Sequence, residues 1–152
     1  MALSLDPDAI THGIQLALAP VFLLTAVAAM IGAVAGRLAR IIDRARLVEE
    51  RALDGADPAR IEGMRAELRT LRQRGRLSNA CIALLTFCAL LIGLTIILLF
   101  LGETTGFASA RWAVGSFLLG VGSFLLALLC FLAETFIATR LLDFPLLRVG
   151  GR

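Results

Sequence analysis

The sequence predicts an all-α integral membrane protein with three transmembrane helices and a cytoplasmic antiparallel helical hairpin that extends the first two spans. The chain has 152 residues, of which 59% are hydrophobic, whereas a soluble domain is about 45–50% apolar. Three runs, at about 13–36, 77–102 and 112–133, contain no Asp, Glu, Lys or Arg. Because roughly 20 apolar residues cross the hydrocarbon core as a helix, each run is long enough for one span.

The composition of the runs favours retained helices over two alternatives. Strands of a membrane barrel would alternate apolar and polar residues, and the stretch CIALLTFCALLIGLTIILLFLG at 81–102 does not alternate. A cleaved signal peptide would begin with a basic segment, but the first 12 residues contain two acidic residues and no Lys or Arg. We therefore expect the first run to remain in the protein as a span.

The basic residues are all arginine and lie almost entirely on one side of the predicted spans. Of the 15 arginines, eleven lie between Arg37 and Arg76, three follow the third run, and only Arg111 lies in the opposite loop. Because positive residues stay on the cytoplasmic side, we expect the N-terminus outside and the hairpin and C-terminus inside. A basic loop can also bind nucleic acid, but we expect the lipid bilayer as partner and no nucleic acid.

The hairpin is predicted at about 37–76 because the first helix does not end at the membrane. Nothing after Gly36 breaks this helix, and apolar residues continue at helical spacing on one face. Gly55 is expected to end the first arm, and Pro58 to begin the second. The predicted apolar face of the first arm consists of Leu38, Ile41, Ile42, Ala45, Val48 and Ala52.

The second arm carries a heptad-like pattern and continues into the second span without a breaker. Charged residues three or four positions apart are expected to pair along the arms, as in Arg40 with Asp43 and Glu62 with Arg65. Because no segment outside the spans is large enough to be a separate domain, we expect one domain over residues 1–152. The heptad positions of the second arm are Ile61, Met64, Leu68, Leu71, Gly75 and Ser78.

Small residues form stripes on two of the predicted spans. Such residues let helix backbones approach closely in a membrane. Two stripes exceed the evident needs of one three-helix bundle, so the pattern suggests a homo-oligomer, although packing within the chain is the alternative. The helix-packing stripe of the third span is Ser116, Gly120, Ser123 and Ala127, and that of the first span is Ala28, Gly32 and Gly36.

Several residues are candidates for a pore or a gate. Pro20 predicts a kink in the first span, which serves either a gate or only the shape of the helix. The first span is the expected lining, and the arginines that follow it would form basic rings that favour anions. The pore or gate candidates are Pro20, Thr25, Gly32, Gly36, Arg37 and Glu134, and the predicted basic rings are Arg37, Arg40 and Arg44.

Glu134 closes the third uncharged run. A carboxylate at this depth is selected against in lipid, so we expect it to form an ion pair with Arg37, Arg76 or Arg140. The alternative is a ring of Glu134 side chains from several subunits, which would line a path for cations. The sequence leaves both alternatives open, and with them the sign of any conducted ion.

A basic stripe follows one face of the second arm at helical spacing. It would contact anionic lipid headgroups or another acidic partner. The alternative is that these residues only anchor the chain on the cytoplasmic side. The stripe consists of Arg65, Arg69, Arg72 and Arg76.

The sequence contains no catalytic or metal-binding pattern. Cys81, Cys88 and Cys130 lie within predicted spans and form no CxxC pair, and His12 is the single histidine. A metal site would need more ligands than these positions offer. Nucleophile-elbow, phosphate-loop and zinc-protease motifs do not occur. We therefore expect neither enzymatic activity nor a cofactor or metal.

The stretch APVFLLTAVAAMIGAVAGRLARIIDRARLVEE at 19–50 resembles a family of small bacterial membrane proteins, domain of unknown function twenty-seven twenty-one. The resemblance is carried by Pro20 with the LLT that follows, by Arg37, and by the run RIIDRAR at 40–46. That family shares the order of a span, a basic helix pair and two further spans. The resemblance covers most of the chain and implies a bacterial inner-membrane protein of unknown activity.

Two functions are favoured over a third, an intramembrane enzyme, for this architecture. The first is a homo-oligomeric ion channel or conduit, since three helices of a single chain enclose no pore of useful width. The second is a non-conducting scaffold or accessory subunit, in which the hairpin binds a partner through helix-to-groove contacts.

Overall fold

The computed structural model describes residues 7–53, 58–105 and 110–140, which form three helices. These are α1 (Pro7–Leu53), α2 (Pro58–Thr105) and α3 (Ala110–Arg140). Each helix contains a stretch long and apolar enough to cross a membrane, so the all-α, three-span prediction is confirmed. The described residues contain no strand.

Neither α1 nor α2 is interrupted where its apolar run meets its arginine-rich part. α1 runs through Pro20 and past Arg37 as one helix of 47 residues, and α2 begins at Pro58 and has 48 residues. The predicted continuation of the first two spans as helical arms is therefore confirmed. Gly55, the expected end of the first arm, lies outside the described residues.

Buried residues recur along all three helices with a period of seven, which is the pattern of helices packed as in a coiled coil. In α1 they include Pro20, Val27, Val34, Ile41 and Val48. In α2 they include Leu71, Ser78, Leu85 and Ile92, with Cys81, Cys88 and Thr95 between them. In α3 they include Ala113, Gly120, Ala127 and Glu134, with Ser123 between them.

The chain divides into two compact units, each built from parts of all three helices. The apolar unit comprises Met1–Ala33 and Ile82–Ala127, and the arginine-rich unit comprises Val34–Cys81 and Leu128–Arg152. The second unit contains 14 of the 15 arginines of the chain. The single domain expected over residues 1–152 stays a prediction.

In the apolar unit, α3 packs antiparallel to α2 through small and hydroxyl side chains. Ser123 donates a hydrogen bond of 2.8 Å to the Leu84 carbonyl, and the hydroxyls of Thr95 and Ser116 lie 2.8 Å apart. Gly120 lies so close to α2 that an added Cβ would be 3.1 Å from Cδ1 of Ile92. Ser116, Gly120 and Ser123 of the helix-packing stripe thus lie against α2 of the same chain, and Ala127 is buried.

In the arginine-rich unit, the two arms of the hairpin pack antiparallel. Ile41, Val48 and Leu71 form a buried cluster, and Leu38 and Ile41 lie 3.9 Å from the position that a Cβ of Gly75 would take. Ile42 is 43% exposed, so its predicted place on the apolar face is wrong. Neighbouring residues point about 100° apart on a helix. Ile41 is buried because it lies seven residues from both Val34 and Val48, which are also buried.

The ion pairs between described residues of the hairpin join different helices rather than neighbouring turns of one helix. Arg44 pairs with Glu67 at 2.9 Å, and Arg72 with Glu49 at 3.6 Å. The intrahelical pairs expected for Arg40 and for Glu62 are wrong, since neither residue has an ion-pair partner in the described part of the chain. Exposed intrahelical pairs contribute only about 0.3–0.5 kcal/mol, too little to hold long side chains in place.

Candidate functional site

The candidate site is the Glu134 triad, which consists of Glu134, Arg37 and Arg74, one residue from each helix. Glu134 is 1% exposed. Arg74 donates two hydrogen bonds to Oε1 of Glu134, from Nε at 3.0 Å and from Nη2 at 2.9 Å. Nη2 of Arg37 lies 2.9 Å from the other carboxylate oxygen, Oε2. One buried carboxylate therefore joins all three helices of the arginine-rich unit.

α3 holds Arg37 at more than one point. Its Nη1 donates a hydrogen bond of 3.3 Å to the hydroxyl of Thr135, and its guanidinium lies over the ring of Phe131, 4.9 Å from the centroid. Such a cation–π contact adds about 0.5–1 kcal/mol at a partly exposed site. Thr135 itself donates to the Phe131 carbonyl at 3.0 Å, so the acceptor of Arg37 is fixed by its own helix.

The two oxygens of Glu134 are bound differently. Oε1 receives both aligned hydrogen bonds of Arg74, whereas Oε2 receives no aligned hydrogen bond although Arg37 lies within ion-pair distance. Arg37 therefore acts on Oε2 mainly through its charge, and Arg74 supplies the directed contacts. Hydrogen bonds between ionised partners are about twice as strong as neutral ones.

The carboxylate of Glu134 needs its two arginine partners because it is removed from solvent. Side-chain exposure is 28% for Arg37 and 19% for Arg74, against 1% for Glu134. Both guanidiniums therefore reach the surface, while the carboxylate depends on them for compensation. Removing one partner of a buried ion pair costs about 3–5 kcal/mol, because the remaining charge is left uncompensated.

The expected ion pair of Glu134 with Arg37 is present, and Arg74 is a partner that the sequence analysis did not name. Arg76 is exposed, and the side chain of Arg140 lies outside the described residues. The missed signal is the heptad pattern of α2. Arg74 lies three residues after buried Leu71 and four before buried Ser78, which is an inward position.

The six pore or gate candidates fall into two groups. Thr25, Gly32 and Gly36 are exposed, and at about 100° per residue they lie within about 20° of one line along α1. Apart from the adjacent backbone of α1 itself, no atom lies within 4 Å of the position that a Cβ would take at either glycine. The remaining candidates, Pro20, Arg37 and Glu134, are buried or half-buried within the chain. A pore or gate role for either group stays a prediction.

The basic stripe of α2 lies on the surface. All four of its arginines, Arg65, Arg69, Arg72 and Arg76, are exposed. Arg72 pairs with Glu49, and both side chains of that pair are more than half exposed. Lipid or partner contact through this stripe stays a prediction. The side chain of His12 lies outside the described residues.

A family model described as protein of unknown function (DUF2721) matches residues 17–144. The chain belongs to this family. The DUF2721 match includes all three residues of the Glu134 triad and both arms of the hairpin. No curated protein and no solved structure matches the chain.

Proposed function

We propose that this DUF2721 protein is a homo-oligomeric ion conduit of the bacterial inner membrane, without enzymatic activity. In the proposed orientation the N-terminus is outside, and the hairpin and C-terminus are in the cytoplasm. The orientation is supported by the 14 arginines of the arginine-rich unit against the single Arg111 in the other compartment. Green fluorescent protein fused to the C-terminus should fluoresce in cells, whereas activity of a C-terminal alkaline phosphatase fusion would contradict this orientation.

The observation that carries the proposal is the small-residue face of α1, formed by Thr25, Gly32 and Gly36. It is exposed, and the space beside both glycines is empty within 4 Å. Small residues bring membrane helices together because packing and close backbone contacts, rather than hydrophobicity, stabilise association in lipid. A second copy of α1 is the occupant that this face fits, because a glycine surface gives lipid chains little side chain to pack against.

A path forms when several copies surround a common axis with this face turned towards it, so that neighbouring copies touch along the edges of the face and its centre lines the path. Glycine leaves room beside the backbone. The hydroxyl of Thr25 donates a hydrogen bond of 3.2 Å to the Val21 carbonyl of its own helix. The proposed arrangement does not use Glu134 as a lining residue, because its side chain is buried and bound by two arginines. Exposed Arg40, four residues beyond Gly36, would then give one mouth of the path a positive charge. Anions should therefore be preferred.

Substitution of Gly36 tests both parts of the proposal. We expect the purified wild-type chain to have an oligomeric mass in mild detergent, and Gly36→Leu to reduce this mass towards that of one chain. Gly115→Leu is the matched control, because Gly115 is exposed on α3 with nothing within 4 Å of its Cβ position. In planar bilayers, the wild type and the control should carry chloride in preference to potassium.

Three results would contradict the conduit. They are a monomeric wild type, an oligomer that carries no current, and a preference for potassium. If the Gly36 and Gly115 variants lowered the oligomeric mass equally, the subunit contact would not lie on the small-residue face of α1.

The exposed basic stripe of α2 favours a second candidate, a scaffold or accessory subunit. Four exposed arginines at helical spacing offer a surface for an acidic helix of a partner. A photo-crosslinking residue placed at Arg69 in cells should then give a discrete adduct whose mass is not a multiple of this chain. Crosslinks only to lipid or to a second copy would contradict the scaffold.

A further inference from the structure

The arginine-rich unit contains an open cleft, and the proposed conduit uses only one of its lining residues, Arg40. Its volume is ≈ 440 Å³, and its lining residues are four arginines and two apolar residues. α1 contributes arginines one turn apart, and α2 contributes the fourth. The lining residues are Arg37, Arg40, Ile41, Arg44, Leu71 and Arg74.

The positive charge of this arginine cleft is only partly compensated. Glu134 binds Arg37 and Arg74, and Glu67 accepts 2.9 Å contacts from Nε and Nη2 of Arg44. Arg40 has no ion-pair partner in the described part of the chain. Four guanidinium groups therefore face two carboxylates, which leaves two positive charges at one cleft.

The existing ion pairs hold the guanidinium groups in place without using all their donors. A guanidinium has five N–H donors. Arg74 directs Nε and Nη2 to Glu134, and Arg44 directs the same two nitrogens to Glu67. Each of them retains donors on Nη1. Pre-positioned guanidinium groups bind the oxygens of phosphate well, because their planar fork matches the spacing of those oxygens.

The position of the cleft along the helices favours phosphate over other anions. Arg37 is the first residue after the uncharged run at 13–36, and Arg74 lies three residues before the run at 77–102. Residues at the end of a membrane span lie at the depth of the lipid headgroups. The phosphate of an anionic phospholipid is the most abundant anion at that depth, and basic residues there are attracted to it.

We propose that the arginine cleft binds a phosphate group, supplied either by an anionic phospholipid headgroup or by a soluble phosphate compound. Arg40 provides the free guanidinium, and Arg37, Arg44 and Arg74 provide the donors that their carboxylate partners leave open. Glu134 acts as a positioning residue, because it holds two of the four arginines. The site lies within one chain, so its binding test does not depend on the oligomer, and it shares only Arg40 with the proposed conduit.

The test compares Arg40→Gln with Arg46→Gln in the full chain in detergent. Arg46 is the matched control, since it is exposed on the same helix, has no ion-pair partner among the described residues and does not line the cleft. One arm titrates phosphatidylglycerol and counts bound lipid by native mass spectrometry. The other arm titrates inorganic pyrophosphate by calorimetry.

We expect Arg40→Gln to weaken binding about tenfold in at least one arm, because one charge-assisted contact is lost. Arg46→Gln should bind as the wild type does. If Arg40→Gln weakens only the binding of phosphatidylglycerol, the phosphate group belongs to a lipid headgroup. If it weakens only the binding of pyrophosphate, the ligand is a soluble phosphate compound. The proposal is overturned if Arg40→Gln binds like the wild type in both arms, or if both variants weaken equally. Far-ultraviolet circular dichroism verifies that both variants keep the wild-type helicity.

Discussion

α3 contacts the rest of the chain by different chemistry in the two units. In the apolar unit it presents glycine and serine to α2, with neutral hydrogen bonds such as that from Ser123 to the Leu84 carbonyl. In the arginine-rich unit the same row of buried positions ends in Glu134, which binds two arginines. Gly120, Ala127 and Glu134 follow one another at intervals of seven residues, so they occupy equivalent positions on α3. The first two are apolar, and the third is a charged carboxylate.

The difference follows from what each environment can offer a polar group. Within a span, a hydroxyl can be satisfied by a nearby carbonyl and costs little when buried. A carboxylate at the same depth needs a cation, and the uncharged runs contain none. Glu134 lies at the end of its run, where Arg37 and Arg74 from two other helices are within reach. The charged contact is therefore expected to be the stronger and less replaceable of the two.

The largest effect is expected when this charged contact is removed. Glu134→Ala removes both hydrogen bonds of Arg74 and the charge partner of Arg37, and it should lower the free energy of unfolding by about 3–5 kcal/mol, because hydrogen bonds to charged groups contribute about 1.5–3 kcal/mol each. Helicity followed during a titration with sodium dodecyl sulfate would measure the change. Glu49→Ala is the control, because it removes an ion pair whose side chains are more than half exposed, and it should change stability by at most about 1 kcal/mol.

If the Glu134 and Glu49 variants were equally stable, the buried carboxylate would contribute no more than a surface pair. The charged contact of α3 would then not be the stronger of its two contacts.

A smaller effect is expected for the close contact in the apolar unit. Gly120→Leu places a large side chain where even a Cβ would lie 3.1 Å from Cδ1 of Ile92, and it should destabilise by about 1–3 kcal/mol. Gly115→Leu, on the same helix with nothing within 4 Å of its Cβ position, should leave stability nearly unchanged. Unfolding in the same detergent titration measures both variants. A Gly120 variant as stable as the Gly115 variant would show that α2 and α3 have room to separate there.

Much of the fold could be predicted because the relevant signals are local. The uncharged runs, the absence of a breaker after Gly36, and the start of α2 at Pro58 each depend on a few neighbouring residues. The same local rules could not distinguish Ile41 from Ile42, since both are apolar and adjacent. They also could not identify Arg74, because its inward position depends on the register of the whole heptad pattern in α2.

The three membrane-spanning helices, and the continuation of α1 and α2 into arginine-rich arms, follow from local sequence, because hydrophobicity and helix-breaking residues act over short stretches of chain. Which arginines neutralise Glu134 depends instead on how the three helices pack. The contacts that decide it join Glu134 to Arg74, 60 positions away, and to Arg37, 97 positions away (134 − 37). Such contacts depend on the rotation of each helix about its axis, which is set by many weak packing interactions together rather than by any local pattern.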